Sequence, residues 1–346
     1  MQYSVTFPGG SVRYLFNGSF EHISQWLNPR ECIIITDSHV NGLYNQLFTD
    51  FKAVITIPAG EEHKNFSTIL SITQQLLEHQ AHRKTTLLGV GGGMATDITG
   101  FIASVYMRGM PFGYVPTSLL GMVDAAIGGK NGVNIGLQKN LLGTIAQPKF
   151  ILFDTAFLGT LPGTEWSNGF AEVIKYACLF DKELFTELAE RDIQYYKKDN
   201  AVTSALIARC ADWKNKIVLA DERESGMRKL LNFGHTAGHA FETVCLIPHG
   251  HAVALGMLVA CRLSAQYGMS ETVTGQLQNL LQQYSLPTTI QADTDELMRV
   301  LTMDKKRDGD GVDFILLKEI GKADIHNIAF NNVRQALASF IHAGNH

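Results

Sequence analysis

Four histidines, His235, His239, His249 and His251, fall together in a chain of 346 residues that holds only twelve. Imidazole nitrogens ligate metals and carry protons near neutral pH, so this density points to a metal or acid–base centre. His235 and His239 are four residues apart, which places both on one helix face. His249 and His251 follow a short loop in "IPHGH". A catalytic zinc takes about three protein ligands and keeps a position open. Upstream, "NGFAEVIKYACL" sets Glu172 in an apolar helix with Lys175 one turn on. A carboxylate in such surroundings is costly unless paired or metal-bound. Spacing alone leaves open which two histidines join Glu172, and it also allows hydrogen-bonded core histidines with no metal. The polar run "DERESGMRKLLN" adds Arg228 and Asn232 just before the cluster, which favours a charged active site.

A second set of residues suits phosphate. "LLGVGGGMATDITGF" follows a strand and opens a helix. Gly91, Gly92 and Gly93 allow close approach of the backbone to a ligand, and a helix N-terminus attracts anions. The pattern is not the G-x-G-x-x-G fingerprint, and a tight strand-to-helix turn with no ligand has the same look. Asp97 in this stretch can accept hydrogen bonds from a ribose or an amide. "PAGEEHKNF" places Glu61 and Lys64 after another strand. The glycine-rich segment 115–154 carries Asp124, Lys130, Lys139 and Asn140 among apolar residues. Lysines in such company want a partner, and two near an acid suit an anionic substrate or a nucleotide.

These residues need a scaffold. The length makes two domains the expectation. Short apolar runs at 31–37, 52–57, 85–90, 112–117 and 149–154 alternate with helical patterns such as 66–80, which predicts a mostly parallel sheet covered by helices. Beyond about residue 160 the pattern becomes helical, with one late strand at 313–319. The expected fold is therefore α/β: a Rossmann-like nucleotide-binding domain over 1–160, then a mostly α-helical metal- and substrate-binding domain over 161–346. A site in the cleft of two such domains is the usual arrangement.

Composition narrows the class further. Hydrophobic residues make up 45% and charged residues 18%, as in an ordinary globular enzyme, and the net charge of −4 argues against a nucleic-acid partner. The five cysteines form no C-x-x-C pair, which fits reduced thiols in the cytoplasm. No apolar run approaches a membrane span, and no secretory signal is read.

Taken together, "GGGMATDITGF", "VPTSLLGMVDAAIGGKNGVN", "LQKNLLGTIAQPK", "FAEVIKY", "DERESGMRKLLNFGHTAGHAFE", "HGHAVALGM" and "DKKRDGDG" resemble the 3-dehydroquinate synthases in order and spacing, from about residue 58 to 317. That family is similar to sugar-phosphate cyclases generally and, more distantly, to glycerol-type metal dehydrogenases. The resemblance implies zinc or cobalt held by Glu172, His235 and His249, with His239 facing the substrate. It implies NAD along Glu61, Lys64, Gly93, Asp97, Thr117, Ser118, Lys130, Lys139 and Thr160, with Asp37 near the adenosine ribose. The substrate, a phosphorylated sugar acid, is expected at Asp124, Lys130, Asn140, Lys175, Lys214, Arg228, Asn232 and one of Lys305 or Lys306. A homodimer is implied, with Arg108 reaching phosphate in the neighbouring subunit.

Three positions depart from the family pattern. His251 stands where glutamate is frequent, Ala95 and Thr96 change the middle of the glycine turn, and Asn131 replaces a common threonine. Three other readings compete: a cyclase acting on a substrate without a carboxylate, such as 2-deoxy-scyllo-inosose synthase; a metal-dependent polyol dehydrogenase with net NAD turnover; and a non-enzymatic binding protein on this fold, against which the Glu/His/His set with surrounding cations argues.

Overall fold

A computed structural model describes residues 1–136, 138–305 and 310–343. In chain order the first elements are β1 (Gln2–Phe7), β2 (Gly10–Phe16), β3 (Cys32–Asp37), α1 (Ser38–Tyr44), β4 (Ala53–Ile57), α2 (Phe66–Glu78), β5 (Thr86–Gly91), α3 (Gly93–Val105), β6 (Phe112–Pro116), β7 (Lys130–Ile135), β8 (Gln138–Ile145) and β9 (Phe150–Phe153). They are followed by α4 (Gly163–Phe180), α5 (Lys182–Ala189), α6 (Ile193–Lys197), α7 (Asn200–Ala220), α8 (His235–Cys245), α9 (His249–Gln266), α10 (Glu271–Gln283), α11 (Thr294–Lys305), β10 (Gly311–Glu319), β11 (Lys322–Ala329) and α12 (Phe330–Ala343).

Seven strands form one sheet in the order β1-β2-β9-β6-β5-β3-β4. The five apolar runs read from the sequence are parallel strands of this sheet; β2, which the sequence reading missed, is also parallel, and β1 pairs with it antiparallel. Residues of β3, β6 and β9 are buried along their whole length, as strands covered on both faces must be. Ile34, Leu88, Val115 and Leu152 from four neighbouring strands pack with Phe20, Phe48 and Phe157 in one core. Parallel pairing carries β3, β5 and β6 to a common end at Asp37, Gly91 and Pro116. Open α/β sheets bind ligands at that carboxyl end.

The chain divides into two compact units: Met1–Leu161 with Asp199–Arg223, and Pro162–Lys198 with Glu224–His346. The single cut expected near residue 160 is therefore followed by two further crossings. The reason is α7. Its Asn215 accepts a hydrogen bond from the buried Tyr14 hydroxyl at 2.6 Å, and its Lys214 reaches Asp124 at 2.9 Å. Just beyond it, the Glu222 carboxylate takes hydrogen bonds from Gly9 N–H and the Gln147 amide. These partners hold α7 to the sheet unit, although its sequence reads like its helical neighbours.

In the second unit α8 and α9 pack closely, and α4 lies against α9. The contact depends on glycine: a Cβ on Gly256 would come within 1.9 Å of the Gly234 carbonyl oxygen. The late strand is one arm of a hairpin, β10 paired antiparallel with β11. The second arm, "KADIHNIA", has a single buried residue and no continuous apolar run, so it lacked the signal that marks a strand. No helix among the described residues is long and apolar enough to cross a membrane.

Candidate active-site residues in the two units

In the first unit the glycine turn joins β5 to α3. Gly92 caps the helix without a side-chain hydrogen bond and with an ordinary negative φ of −71°. Glycine is demanded here by packing: a Cβ on Gly91 would lie 2.6 Å from the Ala95 Cβ and 3.2 Å from Asp37 Oδ2. Alanine and threonine at 95 and 96 fit because both are fully buried against the sheet. Asp37 spends its other oxygen on capping α1, accepting from His39 and Val40 N–H. Thr117 N–H binds the Gly91 carbonyl, and Ser118 Oγ accepts from Gly121 N–H. Thr160 Oγ shares a 2.6 Å hydrogen bond with Tyr44.

Lys64 is 4% exposed, and its ammonium donates to Asp97 at 2.5 Å and to Asn140 Oδ1 at 2.6 Å. Burial raises the Asp97 pKa, and the Lys64 charge opposes that. Asn140 sits in the left-handed region at φ 52°. Asn134 holds it there: its Oδ1 accepts Asn140 N–H and its amide donates to Glu61. Glu61, Lys64, Asp97 and Asn140 thus form one network, with Lys64 shared by the residues expected at NAD and the one expected at substrate. Asp124 lies in a π-helical turn, Gly121–Ala125, where its carboxylate and carbonyl both meet Lys214. Single-turn π segments recur at functional sites. Lys130 is exposed at the start of β7 and Lys139 is half-buried in β8. Asn131 is structural: its Oδ1 accepts from the buried Tyr114 hydroxyl and its amide spans the Gly129 and Ala146 carbonyls. Arg108 is exposed beyond α3, at φ 64°.

In the second unit Glu172 is completely buried on α4, and Lys175 one turn on makes an ion pair with it. His235 opens α8 and His249 opens α9. Gly234, at φ 80° and pressed against the Val253 carbonyl, turns the chain so that α8 begins at His235. His235 Nε2 is 3.4 Å and His249 Nε2 3.5 Å from Glu172 Oε1. These three residues offer ligand atoms within 4.8 Å of one another. Two ligands about 2.1 Å from one tetrahedral ion lie about 3.4 Å apart, so the donor set fits a zinc-like divalent cation. Burial pushes the His235 imidazole down to about 3. Burial also lowers His249, but hydrogen bonds to Glu172 and Glu242 outweigh it and raise the ring to about 9.

His239 is exposed on α8, with its ring 5.5 Å from that of His235. A second donor group, His239, Glu242 and His249, also lies within 4.8 Å. Arg228 is 2% exposed, and Asn232 donates to Glu224 at 2.8 Å. His251 stands apart from both donor groups. Its Nε2 is buried without a hydrogen bond among the described residues, and burial lowers its pKa. Lys306 lies outside the described residues, and the side chain of Lys305 is likewise not described. Sequence reasoning missed Glu242 and Glu224. Glu242 had a signal, since it lies one turn past His239 and two turns past His235 on the same helix face. Glu224 had only its place in a charged run.

A parallel α/β unit with a glycine turn at its strand ends, joined to a helical unit carrying a Glu-His-His donor set, defines a class of two-unit α/β enzymes. Two profiles narrow the class, 3-dehydroquinate synthase N-terminal over residues 54–168 and 3-dehydroquinate synthase C-terminal over residues 169–307. The chain belongs to the 3-dehydroquinate synthase family. A 3-dehydroquinate synthase of Nitrosospira multiformis is 39% identical over 318 residues, 88% of this chain and 87% of that one. That of Lactococcus lactis subsp. cremoris is 35% identical over 337 residues, 93% and 95% of the two chains. Among solved structures, 2-epi-5-epi-valiolone synthase from Streptomyces hygroscopicus subsp. jinggangensis, with NAD+ and Zn2+ bound, superposes with a TM-score of 0.85 at 27% identity, covering 98% of this chain and 97% of its own.

Proposed function

We propose that this chain converts 3-deoxy-D-arabino-heptulosonate 7-phosphate into 3-dehydroquinate and phosphate. Family membership supports the reading. The structural observation that carries it is the pair of distances, 3.4 and 3.5 Å, from Glu172 Oε1 to the two histidine Nε2 atoms. Glu172, His235 and His249 are assigned to a zinc or cobalt ion. NAD is assigned to Asp37, Glu61, Lys64, Gly93, Asp97, Thr117, Ser118, Lys130, Lys139 and Thr160.

An ion held by Glu172, His235 and His249 would supply Lewis acidity to the substrate's secondary hydroxyl, and bound NAD would supply reversible hydride chemistry. The chain's own residues bind, orient and neutralise. Lys214 and Arg228 act as fixed cations for the carboxylate, and an arginine fork suits its planar geometry. Asp124 holds the Lys214 ammonium in place, and Lys175 balances the Glu172 charge. His239 is the hydrogen-bond or proton-transfer partner of the reacting hydroxyl. Phosphate leaves with its bonding electron pair on oxygen, and lysine and arginine charges stabilise it as that charge develops. Ring opening and intramolecular aldol closure then need chiefly positioning.

Five free thiols suit a reducing cytoplasm. We assign a homodimer in which Arg108 binds phosphate at the partner's site. Arg108→Ala and Lys214→Ala chains, each inactive, should then regain activity when unfolded and refolded together. The main test is phosphate release from purified, metal-loaded protein with NAD. The expected result is one phosphate per heptulosonate with no net NADH. Release only from a sugar phosphate without a carboxylate would assign another cyclase activity, and steady NADH accumulation would assign a polyol dehydrogenase.

A further inference from the structure

We infer that Glu242 is a positioning residue that orients His249 for metal binding. The inference rests on the metal reading above. A neutral imidazole has one nitrogen with a free lone pair and one that carries a proton. For His235 and His249 both to present Nε2 to an ion beside Glu172, both must carry the proton on Nδ1. Each Nδ1 therefore needs an acceptor. His235 has a backbone one: its Nδ1 lies 3.2 Å from the Phe233 carbonyl oxygen, which can only accept. For His249 the acceptor is a side chain: its Nδ1 lies 3.3 Å from Glu242 Oε2. The two histidines are thus held in the same tautomer by different means, one by main chain and one by a side chain that mutation can remove.

The fold explains why Glu242 can do this. It is 9% exposed on α8, two turns after His235 and on the same face. His249 is the first residue of α9 and follows Pro248, so its own helix offers no preceding turn to fix the ring. The close glycine-mediated crossing of the two helices supplies the support. A Cβ on Gly238 would lie 3.0 Å from the Ala252 carbonyl oxygen, and this separation brings Glu242 of α8 to His249 of α9. His249 is also steadied from behind: Gly250 N–H donates to Asn168 Oδ1 at 2.5 Å, tying the start of α9 to α4, which carries Glu172.

Glu242 also belongs to the second donor group, with His239 and His249. Two observations favour the positioning role over a ligand role. Glu242 meets His249 through Nδ1, the nitrogen opposite the one that faces Glu172. A nitrogen that donates a hydrogen bond to a carboxylate offers no lone pair to a cation on that side. Glu172, by contrast, meets Nε2 of both histidines.

The test is cobalt binding to the metal-free 346-residue chain, read by competition with a chelating indicator and by the visible cobalt spectrum. Glu242→Met matches the side-chain volume and removes the acceptor. Loss of a hydrogen-bond partner behind a metal-bound histidine costs about 10- to 100-fold in metal affinity, and Glu242→Met should fall in that range. Glu242→Gln keeps a carbonyl acceptor and should recover most of the affinity, with the parent's cobalt spectrum. If Glu242→Met is poorly folded, Glu242→Ala repeats the measurement, with thermal unfolding of the metal-free chain as the control. Parent-like cobalt affinity in Glu242→Met or Glu242→Ala overturns the inference. So does abolished binding in those variants with retained binding in Glu172→Ala, which would make Glu242 a ligand. If Glu172→Ala, His235→Ala and His249→Ala all bind cobalt like the parent, the metal reading fails and the inference falls with it.

Discussion

The two units bury charge in opposite ways. In the first, the buried lysines are answered by acids: Lys64 by Asp97, and Lys214 by Asp124. In the second, the buried carboxylate of Glu172 is answered by Lys175 but also faced by two imidazole nitrogens at nearly equal distances. An ion pair completes itself, and it fixes geometry for a ligand that arrives neutral or anionic. A carboxylate and two imidazoles can turn lone pairs toward one point, and on the proposed reading a cation would complete that arrangement. Burial is common to both; what differs is whether the donor set closes without a third party.

The largest expected effect tests the second unit. Glu172→Gln or metal removal by a chelator should lower kcat/KM by about a thousandfold, because a Lewis acid supplies several kcal/mol of charge stabilisation. NAD affinity, measured by calorimetry on the metal-free chain, should stay within about twofold if the units work as separately as their charges do. A parallel loss of NAD binding would break the comparison.

The next effect belongs to the first unit. Lys64→Met leaves Asp97 half-buried without its main cation. Removing one partner of a buried pair costs about 3–5 kcal/mol, and the lower end applies because Asp97 is partly exposed. Urea unfolding should register about 3 kcal/mol and NAD binding should weaken, while zinc stoichiometry stays at one per chain. Loss of zinc in this variant would contradict the separation.

Tyr14→Phe asks whether α7 truly belongs to the sheet unit. It removes the buried 2.6 Å hydrogen bond and with it the hydroxyl donor to Asn215 Oδ1. The expected cost is about 1–3 kcal/mol of stability, with metal binding unchanged. A shift within experimental error in denaturant midpoint would mean that α7 is held by its other contacts alone. The smallest effect is His251→Gln. His251 faces neither donor group, so metal content and activity should remain within about twofold of the parent; a marked loss of metal would bring this histidine into the site.

Much of this was legible in the chain, and the reason is local. Ile33, Ile34, Ile35 and their counterparts in four other strands mark a sheet covered on both faces, because such strands have no polar side to show. Glu172 was legible because a carboxylate in an apolar helix needs a reason. β8 was not legible: Gln138–Ile145 is mostly exposed on both faces, so it carries no alternation. The place of α7 was hidden because helical spacing reports a buried face and not what covers it.

By itself, then, the sequence determined five parallel strands, the glycine turn and the identities of the chemical groups, since these depend on side-chain type and short-range period. The tertiary structure decided which groups meet. Glu172 and His249 are far apart in the chain, and only the packing of α4 on α9 brings them to 3.5 Å. The partnership of Glu242 with His249 likewise exists only because glycines let α8 and α9 approach, and no residue period encodes a crossing between two helices.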